Sequence, residues 1–333
     1  MQSQENCVKF FLTIFISFFF FSVCEAGIGK KKKMLDRSRV SLGISTWLSS
    51  GETDWNHDAS PTSSLLGNPS SELIYEDLKS NIIELEARLE LPNRYFARGN
   101  YGFGSINEGR LVDDDYLSPT GALLFSTEER FSRTHSNIDS DNVWYLNFDF
   151  GKRLIRSKRG WVGGFIGFQH WEENVVGQSI KTIECPNTLL CNPVGSVTNI
   201  EEKVISNSVV WNSIKIGLDV EYRVNRRISI SGQLAYIPLA IMDNDDIHHL
   251  RTDLQQNPSF KMEGKGSGLN FKTLARVRLI GDFFLTAGFR YWKLTVNDEE
   301  WKNYTVSGED TIANLNNFDS VRFGTILGLS YRF

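Results

Sequence analysis

From about residue 39 onward, apolar and polar residues alternate with a period of two. That period belongs to strands showing each face to a different environment, whereas a helix would repeat near 3.6. Ile83, Leu85, Ala87, Leu89 and Leu91 alternate with Glu84, Glu86, Arg88 and Glu90. Ile214, Ile216, Leu218, Val220 and Tyr222 alternate with Ser213, Lys215, Gly217, Asp219 and Glu221, and Trp144, Leu146, Phe148 and Phe150 with Tyr145, Asn147 and Asp149. A soluble sheet rarely needs so many charges on its inner side. A transmembrane barrel uses them, because its apolar face meets lipid and its polar face meets the lumen.

Ten segments carry the pattern, at approximately 39–48, 72–91, 94–104, 143–154, 160–174, 204–223, 226–241, 269–280, 282–297 and 320–333. Ten is even, as a single-chain bacterial barrel requires. Connections alternate in length. Short ones fall at Pro92-Asn93-Arg94, 156–159, Val224-Asn225 and Gly281, and long ones near 49–71, 105–142, 175–203, 242–268 and 298–319. The short set reads as periplasmic turns and the long set as extracellular loops. The last segment alternates through Leu327, Leu329, Tyr331 and Phe333. Left unpaired, such an apolar edge invites aggregation, and closure against Val40, Leu42 and Ile44 removes it. The expectation is an all-β fold, a ten-stranded antiparallel transmembrane β-barrel with long extracellular loops.

The first 26 residues break the pattern. Lys9 precedes an apolar run from Phe10 to Val23 and then Cys24-Glu25-Ala26, which reads as a secretory signal peptide cleaved after Ala26. Phe21-Ser22-Val23 is a poor lipidation box, so Cys24 is not read as a lipid anchor. No later run reaches the roughly 18 apolar residues a membrane helix needs. Residues 27–333 then form one barrel domain in the outer membrane. The Lys30–Lys33 run reads as a solvated leader, with contact to anionic headgroups as the alternative. A net charge of -4 indicates neither nucleic acid nor an acidic tail. In an exported chain, Cys185 and Cys191 most simply form a disulfide stapling one loop. No further metal ligands stand beside them.

The chemistry-bearing residues concentrate in the long connections. Of the histidines, His57, His135, His248 and His249 fall there, and His170 lies in the outer part of a strand. Asp113-Asp114-Asp115 stands in the second long connection, and Asp243-Asn244-Asp245-Asp246 precedes Ile247-His248-His249 in the fourth. Each alone reads as a solvated acidic loop. Spacing i, i+2 on extended backbone, however, puts Asp113 with Asp115, and Asp246 with His248, on one face. Both segments leave the membrane on the same side and could meet across the mouth. An aspartate beside a histidine stabilises its charged form, and two close carboxylates can share a proton while holding water. There is no Gly-x-Ser-x-Gly elbow to compete.

These residues carry a family resemblance. Leu111-Val112-Asp113-Asp114-Asp115-Tyr116 is similar to the Val-Asp-x-Asp-aromatic motif of the omptins, outer-membrane aspartyl-type proteases, and Asp246-Ile247-His248 to their Asp-x-His motif. Ser41-Leu42-Gly43, Gly167-Phe168-Gln169, Ile216-Gly217-Leu218 and Gly328-Leu329-Ser330-Tyr331-Arg332-Phe333 follow in the same order over nearly all the mature chain. The resemblance implies a peptide-hydrolysing site at the extracellular rim, with Asp113 and Asp115 opposite Asp246 and His248. It also implies a lipopolysaccharide requirement, no other cofactor, and cleavage after basic residues of a surface peptide or protein. The chain departs from the family in one respect: aligned without a gap, Asn244 falls where omptins keep an acidic specificity residue. Aligned with a one-residue insertion, Asp245 instead partners His248. Asp243, Asp245 and Glu52 are the candidate substrate-binding acids, and His249 is an alternative to His248. Without the enzyme reading, the same barrel is an adhesin or surface-binding protein, or less simply a diffusion porin.

Overall fold

The computed structural model describes residues 39–139 and 141–333. The signal-peptide segment and the Lys30–Lys33 run lie outside the described residues. The described residues are almost entirely antiparallel strand: β1 Arg39–Asp58, β2 Leu66–Glu90, β3 Tyr95–Leu117, β4 Arg130–Asp139, β5 Asp141–Arg156, β6 Gly160–Glu184, β7 Val197–Arg223, β8 Ile228–His248, β9 Phe260–Arg278, β10 Phe283–Asn303 and β11 Thr311–Arg332. A short helix, α1 (Pro119–Leu124), is capped by the Ser118 hydroxyl accepting from Gly121 N–H. The strands pair in sequence around a ring, and β11 returns to β1 with Leu42 opposite Tyr331 and Ile44 opposite Leu329. The aromatic C-terminal strand thus closes the barrel, and no apolar edge is left open.

Eleven strands fill ten places in the wall. β4 and β5 both lie between β3 and β6, β4 against their outer ends and β5 against their inner ends. The sequence signal found the inner piece and assigned the outer one to a loop, because β4 carries little alternation in hydrophobicity.

The long connections are also shorter than expected. They shrink to 59–65, 118–129, 185–196, 249–259 and 304–310, because the strands continue beyond the lipid. β2 has 25 residues, about 80 Å of chain at roughly 3.3 Å per residue, whereas a tilted strand crosses a bilayer in about ten. Outside the membrane, neither face needs to be uniformly apolar, so the hydrophobic alternation fades while the strand persists. The turns at the other end fall where the sequence placed them. Cys185 and Cys191 are disulfide-bonded in one of the remaining loops.

Inside and outside follow the predicted parity. Ile44, Leu85, Phe103, Phe150, Ile214 and Leu327 are exposed on the outer surface, while Glu84, Asp149, Ser213, Lys215 and Asp219 are buried inside. An exposed apolar ring of this extent is what hydrocarbon solvates. The lumen is filled. Arg98 pairs with Asp149 at 2.6 Å and Asp219 at 3.0 Å, Lys215 with Asp149 at 3.0 Å, and Glu84 with Arg290 at 2.6 Å and Lys272 at 3.2 Å. Above these ions lies a layer of rings, Trp47, Tyr145, Trp171 and Trp292, with centroids 4.5–6.1 Å apart. Gly102 makes room for one of them, since a Cβ there would fall 2.2 Å from Tyr145 Cζ.

Candidate active site

Above the aromatic layer the inward faces of the extended strands change character. On β3 the inward parity brings up Asp113 and Asp115, both half-buried, with Leu73 and Ser71 of β2 opposite them in register. The Ser71 hydroxyl lies within hydrogen-bonding reach of both carboxylates. Burial pushes Asp113 well above the usual carboxylate range, and Asp115 and Asp246 push it further. Asp115 is also raised by burial, but His248 and the Ser71 bond oppose the shift. Neighbouring carboxylates on one strand face resist ionising together.

The opposite wall is β8. Asp246 is fully buried, and His248 Nε2 lies 3.0 Å from its Oδ1. The other oxygen, Oδ2, accepts from Tyr75 Oη at 3.2 Å and from Asn207 Nδ2 at 3.1 Å. Tyr75 stands on β2, so its phenol reaches across the lumen and ties the two walls together. It is fully buried, and burial and then Asp246 raise its pKa well above the ordinary value, which keeps the hydroxyl a donor. His248 stays half-buried and meets Phe260 of β9 edge to face at 4.7 Å. Phe260 packs on Trp301 of β10 at 4.7 Å, and Trp301 stacks on His57 of β1 at 4.0 Å. Burial, and next His248, lower His57 to about 4, so its ring is neutral at physiological pH.

The structure therefore brings Asp113, Asp115, Asp246 and His248 into one cluster, all on strands. It separates the other candidates from them. Asp243 and Asp245 alternate outward on β8 and share Lys261, at 2.6 and 3.1 Å. Asp246, rather than Asp245, is the carboxylate beside His248. Glu52 is exposed on the outer face of β1, between the inward Gly51 and Thr53. Asp114 turns outward to Arg133. His249 bonds through Nε2 to Ser206 Oγ at 2.7 Å. His170 is wedged between Trp144 and Asn212 far along β6. Among the described residues no group of three or more His, Cys, Asp or Glu side chains is arranged to hold a metal ion. Ser71, Tyr75, Asn207 and Trp301 were missed. Tyr75 falls inside the segment read as the second strand and Ser71 one residue beyond it, so extending that segment by one position puts both on one face.

A closed antiparallel barrel with a lipid-facing apolar ring, a packed lumen and a polar mouth defines an outer-membrane β-barrel protein. Residues 50–333 match the family described as Pom, Protochlamydia outer membrane protein, and the chain belongs to that family. No curated protein matches it by sequence. Among solved structures, the outer membrane protease OmpT from Escherichia coli superposes with a TM-score of 0.72 at 15% identity, covering 91% of this chain and 99% of that one. At that identity the likeness is one of fold. The translocator domain of the autotransporter NalP from Neisseria meningitidis matches at a TM-score of 0.36 and 9% identity over 90% of each chain. A FadL homologue from Pseudomonas aeruginosa matches at 0.28 and 8% identity, over 89% of this chain and 90% of that one.

Proposed function

We propose that the protein is an outer-membrane endopeptidase of omptin type, hydrolysing peptide bonds at the mouth of the barrel. The observation that carries this reading is the meeting of two carboxylates on one face of β3, Asp113 and Asp115, with the buried Asp246 and its neighbour His248 on β8. A water between the two walls gives a proton to the His248 nitrogen that is turned away from Asp246. Its oxygen attacks the substrate carbonyl carbon. Asp246 stabilises the imidazolium, and the proton on the carboxylate pair hydrogen-bonds the developing negative oxygen. When the adduct collapses, the C–N bond breaks and His248 returns its proton to the leaving amine. One water is consumed, and an acid and an amine leave.

The protein refolded in lipopolysaccharide-containing micelles should cleave a mixed peptide library, and His248→Ala should lower the rate by about 10²–10⁴-fold, the span typical of general acid-base groups. Cleavage at the parent rate in that variant sinks the assignment. Omitting lipopolysaccharide tests the requirement for that lipid separately.

One observation favours a surface-binding role instead. Leu123 and Leu124 of α1 and Leu189 of the disulfide loop are exposed by 82, 65 and 90%, and the two loops are joined by Asn187 Nδ2 donating to Phe125 O at 2.6 Å. If serine at these three positions abolishes cell attachment by a barrel that cleaves no peptide, the adhesin reading replaces the enzyme.

A further inference from the structure

The lipid-facing surface of the barrel is not evenly covered. On β5 to β8, at the end nearer the short turns, outward-facing side chains border a groove of about 650 Å³. One wall is a row of neighbours in register, Phe150, Ile166, Ile216 and Tyr236. In the next row toward the turns stand Lys152, Gly164, Leu218 and Leu234, and this row is broken at Gly164. Packing within the chain does not require the break. A Cβ at Gly164 would meet nothing nearer than Leu154 Cδ1 at 3.7 Å, whereas one at the inward Gly217 would fall 2.6 Å from the Phe165 ring. Gly217 makes room for the protein's own core, while Gly164 leaves space open to the lipid.

The turn end of the groove is cationic. Lys152 is exposed, with its ammonium 4.7 Å above the Tyr95 ring and 3.4 Å from the Tyr95 hydroxyl. These partners are aromatic, and no ion pair neutralises Lys152 among the described residues. Tyr95 stacks on Phe150 at 5.6 Å, so the lysine stem lies along apolar surface while its charge reaches headgroup level. Two neighbouring turns add Arg156, Lys158 and Arg159, and then Arg223, Arg226 and Arg227, all exposed. Residues 150–160 and 222–232 contain no aspartate or glutamate. The turn between β9 and β10 differs, because there Arg278 has Asp282 3.7 Å away.

An apolar trench that ends among uncompensated cations matches the two chemistries of an anionic phospholipid. A chain seated in a notch gains dispersion contacts that an even wall does not offer. Each lysine or arginine at the membrane surface adds attraction for an anionic headgroup.

We propose that this groove binds one anionic phospholipid of the periplasmic leaflet, with an acyl chain in the gap at Gly164 and the phosphate held by Lys152 and the adjoining basic turns. The site lies at the opposite end of the strands from Asp113, Asp246 and His248, and it does not depend on the endopeptidase reading.

The refolded barrel in neutral detergent is titrated with phosphatidylglycerol or with phosphatidylcholine of identical chains, and bound lipid is counted by native mass spectrometry. One phosphatidylglycerol should bind at least about tenfold more tightly than phosphatidylcholine, since several cations attract it. Lys152→Gln should weaken phosphatidylglycerol about fivefold, the effect of a single surface charge, and leave phosphatidylcholine unchanged. Gly164→Leu should weaken both lipids alike, because it fills the space the chain needs, and heat-modifiable migration checks that each variant is folded. If Gly164→Leu fails to fold, Lys152→Gln, at an exposed position, decides alone. Equal affinity for the two lipids, or phosphatidylglycerol binding untouched by Lys152→Gln or by a folded Gly164→Leu, overturns the proposal. So does a lipid-free dimer that Gly164→Leu dissociates, which would make the groove an interface between copies of the chain. Lipopolysaccharide that displaces phosphatidylglycerol one for one overturns the choice of lipid.

Discussion

Within the membrane and above it, strands of one barrel point carboxylates into the same lumen, yet the two regions use them in opposite ways. In the lower lumen each acid meets cations: Glu84 holds Arg290 and Lys272, and Asp149 holds Arg98 and Lys215. Above the ring layer, Asp113 and Asp115 stand side by side on β3, and Asp246 meets a histidine, a tyrosine and an asparagine. The lower arrangement neutralises charge and plugs the barrel. The upper one leaves protons to be exchanged. What separates them is the company the carboxylates keep, since inward parity and residue type are shared.

The largest expected effect tests the plug. Glu84→Ala would strand Arg290, Lys272 and the Tyr145 hydroxyl, which donates to Glu84 at 2.6 Å, in a site closed to bulk water. Removing one partner of a buried pair costs about 3–5 kcal/mol. The variant should lose its heat-modifiable folded form at a lower temperature, while molecules that remain folded keep their kcat/KM. A variant as stable as the parent but with reduced cleavage would mean that the two regions are not separate in role.

Tyr75→Phe is the next largest and addresses the join between the walls. It removes a buried donor to the carboxyl of Asp246, a loss of about 1.5–3 kcal/mol, or roughly ten- to hundredfold in kcat, with KM little changed. A purely structural role would lower yield or stability and leave the kcat of the folded molecules in place.

The two regions were unequally legible in the sequence. Alternation is strongest where one face meets lipid and the other meets ions, so Ile214 to Tyr222 and Ile83 to Leu91 announced themselves. Above the bilayer the contrast between faces fades, and Ser71 and the whole of β4 passed as loop, while Tyr75 fell inside a predicted strand without being singled out. The two acidic motifs survived that loss because i, i+2 spacing carries a face assignment without any hydrophobic signal. It could not say which parity faces inward. Asp243 and Asp245 have the same spacing as Asn244 and Asp246 and point the other way, and Glu52 fails for the same reason. Tyr75 to Asp246 spans 171 positions, a contact that local pattern cannot reveal.

The smallest effect asks whether crowding carboxylates is enough to make a reactive pair. On the outer face above the lipid ring, Asp54 of β1 stands directly opposite Asp319 of β11. Burial, then Asp319 and Glu52, raise Asp54 to about 7. It accepts from Asn317 at 3.2 Å, and Asp319 holds Lys293 at 3.0 Å. Because the folded state binds this proton more tightly than the unfolded chain, its contribution to stability is full below the ordinary aspartate value near 4. That contribution is lost as pH rises toward and through 7. Asp54→Asn should remove the dependence, leaving the variant more stable than the parent at pH 8 by on the order of 1 kcal/mol after solvent screening, and cleaving peptides at the parent rate. Thermal melts at pH 5 and pH 8 measure the first part and kcat/KM the second. Lost cleavage would bring the outer pair into the mechanism. Unchanged cleavage leaves the facing histidine, which the outer pair lacks, as the element that turns crowded carboxylates into a site.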